Sequence, residues 1–406
     1  MPARGRRRLS VDARRLLAVQ ALRAFAYGLG SVLIGVTLER RGLTGFEVGA
    51  VLAALLTGAA AVSLLLARYG DRVGRRRAYL LLLVAMAGAG SVFALTGSVP
   101  ALVLAALTGT VSTDVIESGP FTSLEQAMLP HAAADRPASR LFGTYNTVAT
   151  LAGSLGALAA GGPSLSGTGS AHWLLVYPLA AVLGLSVAWS LSPAVEAGAE
   201  LERKARAPLH RSREAVFRLS ALFALDSFGG GFVVQTFIAY WFSREYGTAP
   251  ETLGAVFFAV GILQTVSFQA AVRLADRIGL LRTMVFTHLP SNVLLAAIPL
   301  MPDERSAIAL LLARFALAQM DVPARQAYVM GVVDPDERTA AAAYTNTARS
   351  TVRPLAPLAT GPLLQLAFGA PFVAAGVVKG LYDVGLYALF RGIEPMELRH
   401  GKANDE

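Results

Sequence analysis

Apolar residues run through this chain in blocks, and the polar residues between them form short clusters. "VGAVLAALLTGAAAVSLLLA" (48–67), "AYLLLLVAMAGAGSVFALTG" (78–97) and "ALVLAALTGTV" (101–111) follow one another with brief breaks. Blocks of about 20 apolar residues suffice to cross a hydrocarbon layer as helices. The alternating segments of about ten residues that a membrane β-barrel needs are missing. The pattern predicts twelve spans, at 15–38, 46–67, 78–97, 100–129, 138–162, 171–192, 214–242, 249–273, 282–301, 305–333, 339–367 and 371–391.

The longest hydrophilic break, "SPAVEAGAELERKARAPLHRSRE" (192–214), falls near mid-chain and prompts a search for an internal repeat. "GLTGFEVGAV" (42–51) returns as "GTAPETLGAV" (247–256), and "ARYGDRVG" (67–74) as "VRLADRIG" (272–279). "EQA" (125–127) returns as "RQA" (325–327), and Asn146 as Asn346. The reading is an all-α polytopic membrane protein of two pseudo-symmetric six-helix bundles, 1–192 and 214–406, joined by a linker at 193–213. Parallel six-helix repeats place a binding site near the bilayer midplane, between the halves.

Composition supports this reading. Of 406 residues, 54% are hydrophobic and 16% charged, against about 25% charged in soluble domains. The net charge of +9 sits in alternate loops rather than on one face, so the positive-inside rule accounts for it and nucleic acid does not. The N-terminal tail, the loop at 68–77, the linker and the C-terminal tail hold most of the arginines, which predicts both termini in the cytoplasm and a plasma (inner) membrane location. The basic start "MPARGRRRLSVDARR" leads into an apolar stretch too long for a cleaved signal. There is no cysteine, which removes disulfides and thiolate chemistry. No phosphate loop, metal-ligand cluster or nucleophile elbow is present, and "FGGGF" (228–232) has neither the strand nor the Lys-Ser/Thr of a phosphate loop. Neither a cofactor nor enzymatic activity is expected.

"GDRVGRRRAYL" (70–80), between spans 2 and 3, resembles the signature loop of the major facilitator superfamily. Asp71, Arg72, Gly74, Arg75 and Arg76 match it, with Ala67 where the pattern has its first glycine. Asp276, Arg277 and Gly279 form a reduced copy in the second half, with Leu280 and Leu281 in place of the basic pair. The resemblance implies two bundles that rock about a central site lined by spans 1, 4, 7 and 10. It also implies a gating latch of Asp71, Arg72, Gly74, Arg75 and Arg76, with Glu125 as a partner for Arg75 and with Asp276, Arg277 and Arg325 as counterparts. The arginine in span 4 and the Gly-Pro pair in span 5 that many drug–proton antiporters carry are absent here.

Charges inside the spans carry the candidate chemistry, because each one at the centre of a bilayer costs about 2.5–3.5 kcal/mol on the insertion scale. By the repeat, Arg23 aligns with Asp226, Asp114 with Arg314, and Glu125 with Arg325. Opposite signs at equivalent positions could pair across the pseudo-two-fold axis. Glu117 aligns with the apolar Leu317, and an acid without a counter-charge in a low dielectric is a natural proton carrier. Asp321 precedes Pro323 and is placed either to cap a break in span 10, matched in span 4 by "GPF" (119–121), or to serve as a second proton site. Arg349, with Arg23 and Arg314, could bind an anion. Tyr27, Tyr145, Asn146, Gln235 and Asn346 are polar groups for the cavity wall. Lys379 and Asp383 read as a structural i,i+4 pair, and His288 as a helix–helix hydrogen bond.

The functional expectation is a secondary active transporter working by alternating access. Its expected activity is proton-coupled export, by antiport, of a small organic solute or drug, from a monomer in the lipid bilayer. The competing expectations are proton-coupled symport of an organic or phosphorylated anion and, further off, a non-transporting receptor. The anion reading requires arginines that face the cavity without carboxylate partners.

Overall fold

The computed structural model describes residues 9–112, 119–132, 138–196, 209–334 and 337–392, and these are helical with no strand among them. Ten helices among the described residues are long and apolar enough to cross a membrane. The first half has the helices α1 (Val11–Arg40), α2 (Gly45–Val73), α3 (Arg75–Leu95), α4 (Val99–Leu107), α5 (Pro120–Ala132), α6 (Ala138–Leu158) and α7 (Val176–Trp189). The second half has α8 (Arg213–Phe232), α9 (Gln235–Tyr246), α10 (Pro250–Ile278), α11 (Leu280–Ala297), α12 (Glu304–Ala318), α13 (Asp321–Val332), α14 (Arg338–Val352), α15 (Leu355–Leu366) and α16 (Ala370–Phe390). Large apolar side chains such as Leu95, Leu104 and Leu381 stay exposed along these helices, as a hydrocarbon solvent permits.

Local sequence explains the ends. Ser10 caps α1 by accepting the Ala13 N–H at 3.1 Å, and Asp303 caps α12 by accepting that of Ser306 at 3.0 Å. The α2–α3 and α10–α11 turns pass through Gly74 (φ 92°) and Gly279 (φ 86°), repeat-equivalent positions in a region that favours glycine. Span 7 is divided: α8 ends directly after "FGGG" and α9 restarts at Gln235. Span 11 divides at Arg353–Pro354, since proline removes a backbone donor and crowds the preceding turn.

The contacts group the described residues into two compact units. The first draws on residues 1–43, 54–200 and 235–258. Here α1 is the central helix, packed against α6, α7 and α9. Its approach to α6 leaves no room for a side chain: a Cβ on Gly28 would lie 1.8 Å from the Gly153 carbonyl oxygen, and one on Gly156 would lie 1.9 Å from that of Phe25. That is the packing role of the glycines in "GSLGALAAGG" (153–162).

The second unit draws on residues 44–53, 201–234 and 259–406. In it α8 packs on α14 and α16, and α11 on α16, α12 and α13. Its core includes Val216, Leu219, Phe223, Met284, Tyr328 and Tyr382.

Each unit secures a helix start with one carboxylate. Glu196 accepts the backbone N–H groups of Arg75 (2.8 Å) and Arg76 (3.0 Å) at the head of α3. Glu337 accepts those of His210, Arg211 (2.9 Å) and Ser212 (2.8 Å) ahead of α8. These N–H bonds, His210 first, hold the Glu337 carboxyl at about 2 against an ordinary 4.5. A carboxyl depressed in the folded state contributes fully above its ordinary pKa and loses that contribution progressively as pH falls from there through the depressed value. Amide exchange at 210–212, corrected for its intrinsic pH dependence, is therefore expected to stay slow from pH 7 down to about pH 4.5 and to accelerate progressively from there toward pH 2. Glu337→Gln is expected to accelerate it at pH 7.

Candidate functional sites in the two units

In the first unit, α1 presents Arg23 and Tyr27 one turn apart on a single face. The Arg23 guanidinium forks onto Glu125 of α5, with Nη2 to Oε2 at 2.6 Å and Nε to Oε1 at 3.4 Å. Tyr79 of α3 donates its hydroxyl to Oε1 at 2.7 Å, and Tyr145 of α6 donates to Oε2 at 2.5 Å. Glu125 is fully buried and Arg23 nearly so. A buried ion pair recovers its desolvation cost only with good geometry and further hydrogen bonds, and this carboxylate receives four donors. The Arg23 guanidinium also lies 5.1 Å from the Tyr27 ring and 5.0 Å from the Phe121 ring.

This cluster brackets the irregular part of span 4. Helix α4 stops at Leu107 and α5 begins at Pro120. Tyr27 donates to the Thr110 carbonyl at 2.9 Å, in the non-helical residues just after α4, while Arg23 binds Phe121 and Glu125 of α5. Non-helical backbone at membrane depth is tolerated where protein or trapped water satisfies its polar groups. Asp114 and Glu117 belong to the intervening 113–118, outside the described residues. The chain enters and leaves that stretch through the buried Ser112 and Phe121.

In the second unit the focus is Asp226 of α8. Its Oδ1 takes the Lys379 ammonium of α16, and its Oδ2 faces Arg325 of α13 at 3.4 Å and Arg349 of α14 at 3.5 Å. Arg325 also meets Asp321, one turn earlier, at 3.2 Å. His288 of α11 stands with Nε2 3.7 Å from Asp226 Oδ1 and Nδ1 2.9 Å from Asp383 Oδ1 of α16. Asn292 donates to Asp383 Oδ2 at 2.8 Å. Three carboxylates and three permanent cations thus share one buried cluster, with an imidazole among them. The break in span 10, between Ala318 and Asp321, adjoins it. Ser267 donates to the Ala316 carbonyl at 2.6 Å there.

The repeat offset aligned Arg23 with Asp226 and Glu125 with Arg325 as partners across the axis. The structure instead pairs each within its own half: Arg23 with Glu125, and Asp226 with Arg325. These two pairs occupy equivalent positions with opposite polarity. Asp321 does not cap the span 10 break, where Met320 holds the N-cap position without a side-chain bond; its partner is Arg325. Lys379 does not pair with Asp383 on its own helix but reaches across to Asp226.

The remaining predicted residues scatter. Arg314 is buried, with its guanidinium 4.5 Å from the Phe315 ring. Tyr145 belongs to the Glu125 cluster, Gln235 is half-buried at the head of α9, and Asn146 and Asn346 are exposed. Of the gating set, Arg72, Asp276 and Arg277 are exposed, and the Asp71 side chain lies outside the described residues. Arg75 is buried and donates Nη1 to the Ala127 carbonyl at 3.1 Å. Two participants escaped the sequence reading, Tyr79 and Glu196, which carry no repeat signal. His288 makes the helix–helix hydrogen bond expected of it, with Asp383 of α16 as its partner.

The family model for the Major Facilitator Superfamily matches residues 16–357 and 219–406. An uncharacterized membrane protein of Saccharomyces cerevisiae, YJR124C, is 25% identical over 426 residues, covering 95% of each chain. Among solved structures, the nucleoside transporter NupG is similar at a TM-score of 0.71 and 15% identity, over 94% of this chain and 98% of that one. A D-xylose–proton symporter is similar at 0.69 and 15%, over 92% and 97%. A bacterial homologue of the human lysosomal transporter Spinster is similar at 0.70 and 15%, over 93% and 96%. At these identities the likeness is one of fold.

Arg23→Gln removes one member of a buried pair and leaves Glu125 charged against two tyrosines. Breaking such a pair costs about 3–5 kcal/mol. Thermal unfolding of the purified protein in detergent is expected to show a clear loss of stability for this variant, and a smaller one for Tyr145→Phe, which removes one of four donors.

Proposed function

The chain belongs to the Major Facilitator Superfamily, and from that premise we propose that it is a proton-coupled secondary active transporter of a small organic solute. The observation that carries the proposal is the pair of buried charge clusters, one per half, each beside the break in span 4 or span 10. Discontinuous helices with intramembrane charges mark substrate and ion sites in transporters. In this reading Asp114 and Glu117 take up and release the coupling protons. Glu125 and Arg325 secure the helix that follows each break, and Arg75, Arg76 and Glu196 form part of the gate between conformations.

Two of the three arginines that the anion reading draws on face carboxylates, which weighs against it. Arg23 is forked onto Glu125, and Arg349 faces Asp226. A solute without net negative charge suits this balance. Two of the similar structures are named for a nucleoside and for D-xylose with protons, which supports a polar, uncharged class.

The test is proton flux in proteoliposomes loaded with a pH dye and offered nucleosides, sugars, organic cations, neutral drugs and organic anions. Solute-dependent flux is expected in the wild type and is expected to fall at least tenfold in Glu117→Gln or Asp114→Asn. The sign of the dye change separates antiport from symport. Solute uptake without proton movement would contradict the coupling.

A further inference from the structure

The cluster around Asp226 contains a second titratable assembly that spans 4 and 10 do not include. Asp383 is fully buried, and its hydrogen-bond partners are His288 and the donor Asn292. Among the described residues His288 is its one ionic partner. An ionised carboxylate taken out of water without a counter-charge costs several kcal/mol or more, so such a group either takes a proton or acquires a cation. Both routes lead to one additional proton. If Asp383 is ionised, His288 must be imidazolium, with Nδ1–H donating to Asp383 and Nε2–H directed at Asp226. If His288 is neutral, Asp383 holds the proton itself and donates to Nδ1. The two forms differ only in where one proton sits along a 2.9 Å contact.

We propose that His288 and Asp383 form a proton-binding dyad, and that Lys379 controls its occupancy. Lys379 lies one turn before Asp383 on α16, on the face that reaches both Asp383 and Asp226. In this structure its ammonium is on Asp226 Oδ1, the same oxygen that His288 Nε2 faces at 3.7 Å. A shift of the ammonium from Asp226 to Asp383 supplies the dyad with a permanent cation and displaces its proton. Asp226 keeps Arg325 and Arg349. No other charge has to move, and the proton count falls by one.

The groups facing the dyad from each neighbouring helix are consistent with this exchange. α8 contributes Asp226, and α16 contributes Lys379, Asp383 and the edge of the Tyr382 ring, 5.7 Å from the imidazole. α13 contributes Asp321 and Arg325, which engage each other. α12 carries one buried charge, Arg314, seated over its own neighbour Phe315. Lys379 is the cation on the helix of Asp383 itself, one turn away. The dyad does not depend on Asp114, Glu117 or the direction of transport, so it stands or falls apart from the proposed function.

The full-length protein in lipid nanodiscs, labelled with 15N-histidine and 13C-aspartate, reads both sites by magnetic resonance at pH 7. His288 is assigned by replacing the other four histidines, and Asp383 by its through-space correlation with His288 Nδ1, so neither residue has to be changed. The expected result is either an imidazolium ring with an ionised Asp383 or a neutral ring with a protonated Asp383. A neutral ring beside an ionised Asp383 overturns the dyad. Asp226→Asn releases Lys379 and is expected to remove that proton. Adding Lys379→Gln to the same chain is expected to restore it. A proton retained in Asp226→Asn, or one not restored in the double variant, overturns the control by Lys379.

Discussion

A charge inside a low-dielectric helix bundle has to be matched by its immediate neighbours, and this constraint organises both halves of the chain. In the first half the solution is a closed unit: one arginine, one glutamate and two tyrosine hydroxyls from four helices. In the second half the same helix pair carries the inverse pair, Asp226 and Arg325, and the assembly has grown around it. Where Tyr79 and Tyr145 stand in the first half, the repeat places Met284 and Thr345 in the second, which donate nothing comparable. Arg349 on the helix of Thr345, His288 on the helix of Met284, and Lys379 from α16 fill that deficit.

The inversion changes what each cluster can do. Glu125 has both oxygens engaged by several donors, so releasing it means breaking several short bonds at once. Asp226 is shared by long contacts at 3.4–3.7 Å and one close ammonium, an arrangement in which partners can be exchanged one at a time. A tightly bonded cluster in one half and an exchangeable one in the other thus occupy equivalent positions of the repeat. Both adjoin helix breaks whose freed carbonyls are held by hydroxyls, Tyr27 in one and Ser267 in the other.

Much of the architecture was legible in the sequence because block length and repetition are properties of the chain alone. The Gly74 and Gly279 turns, the break before Asp321 and the glycine packing of α6 all follow from residue type at a position. The partners of the buried charges were not legible, because the repeat reports which positions are equivalent and not which ones touch. Equivalence of Arg23 and Asp226 invited a pairing across the axis, whereas the contacts run from α1 to α5 and from α8 to α13. Lys379 and Asp383 show the same limit at short range. Their i,i+4 spacing is real, but Asp226 on another helix offers the ammonium a carboxylate that the helical spacing cannot reveal.

The Arg23–Glu125 and Asp226–Arg325 pairs point to one ion-pair frame with interchangeable polarity. The direct measurement is thermal stability of the double variant Arg23→Asp/Glu125→Arg, which writes the polarity of the second half into the first. Tyrosine hydroxyls can accept from a guanidinium as well as donate to a carboxylate. The double variant is therefore expected to recover at least half of the stability lost by either single change. A double variant as unstable as the two single losses added together would contradict the account.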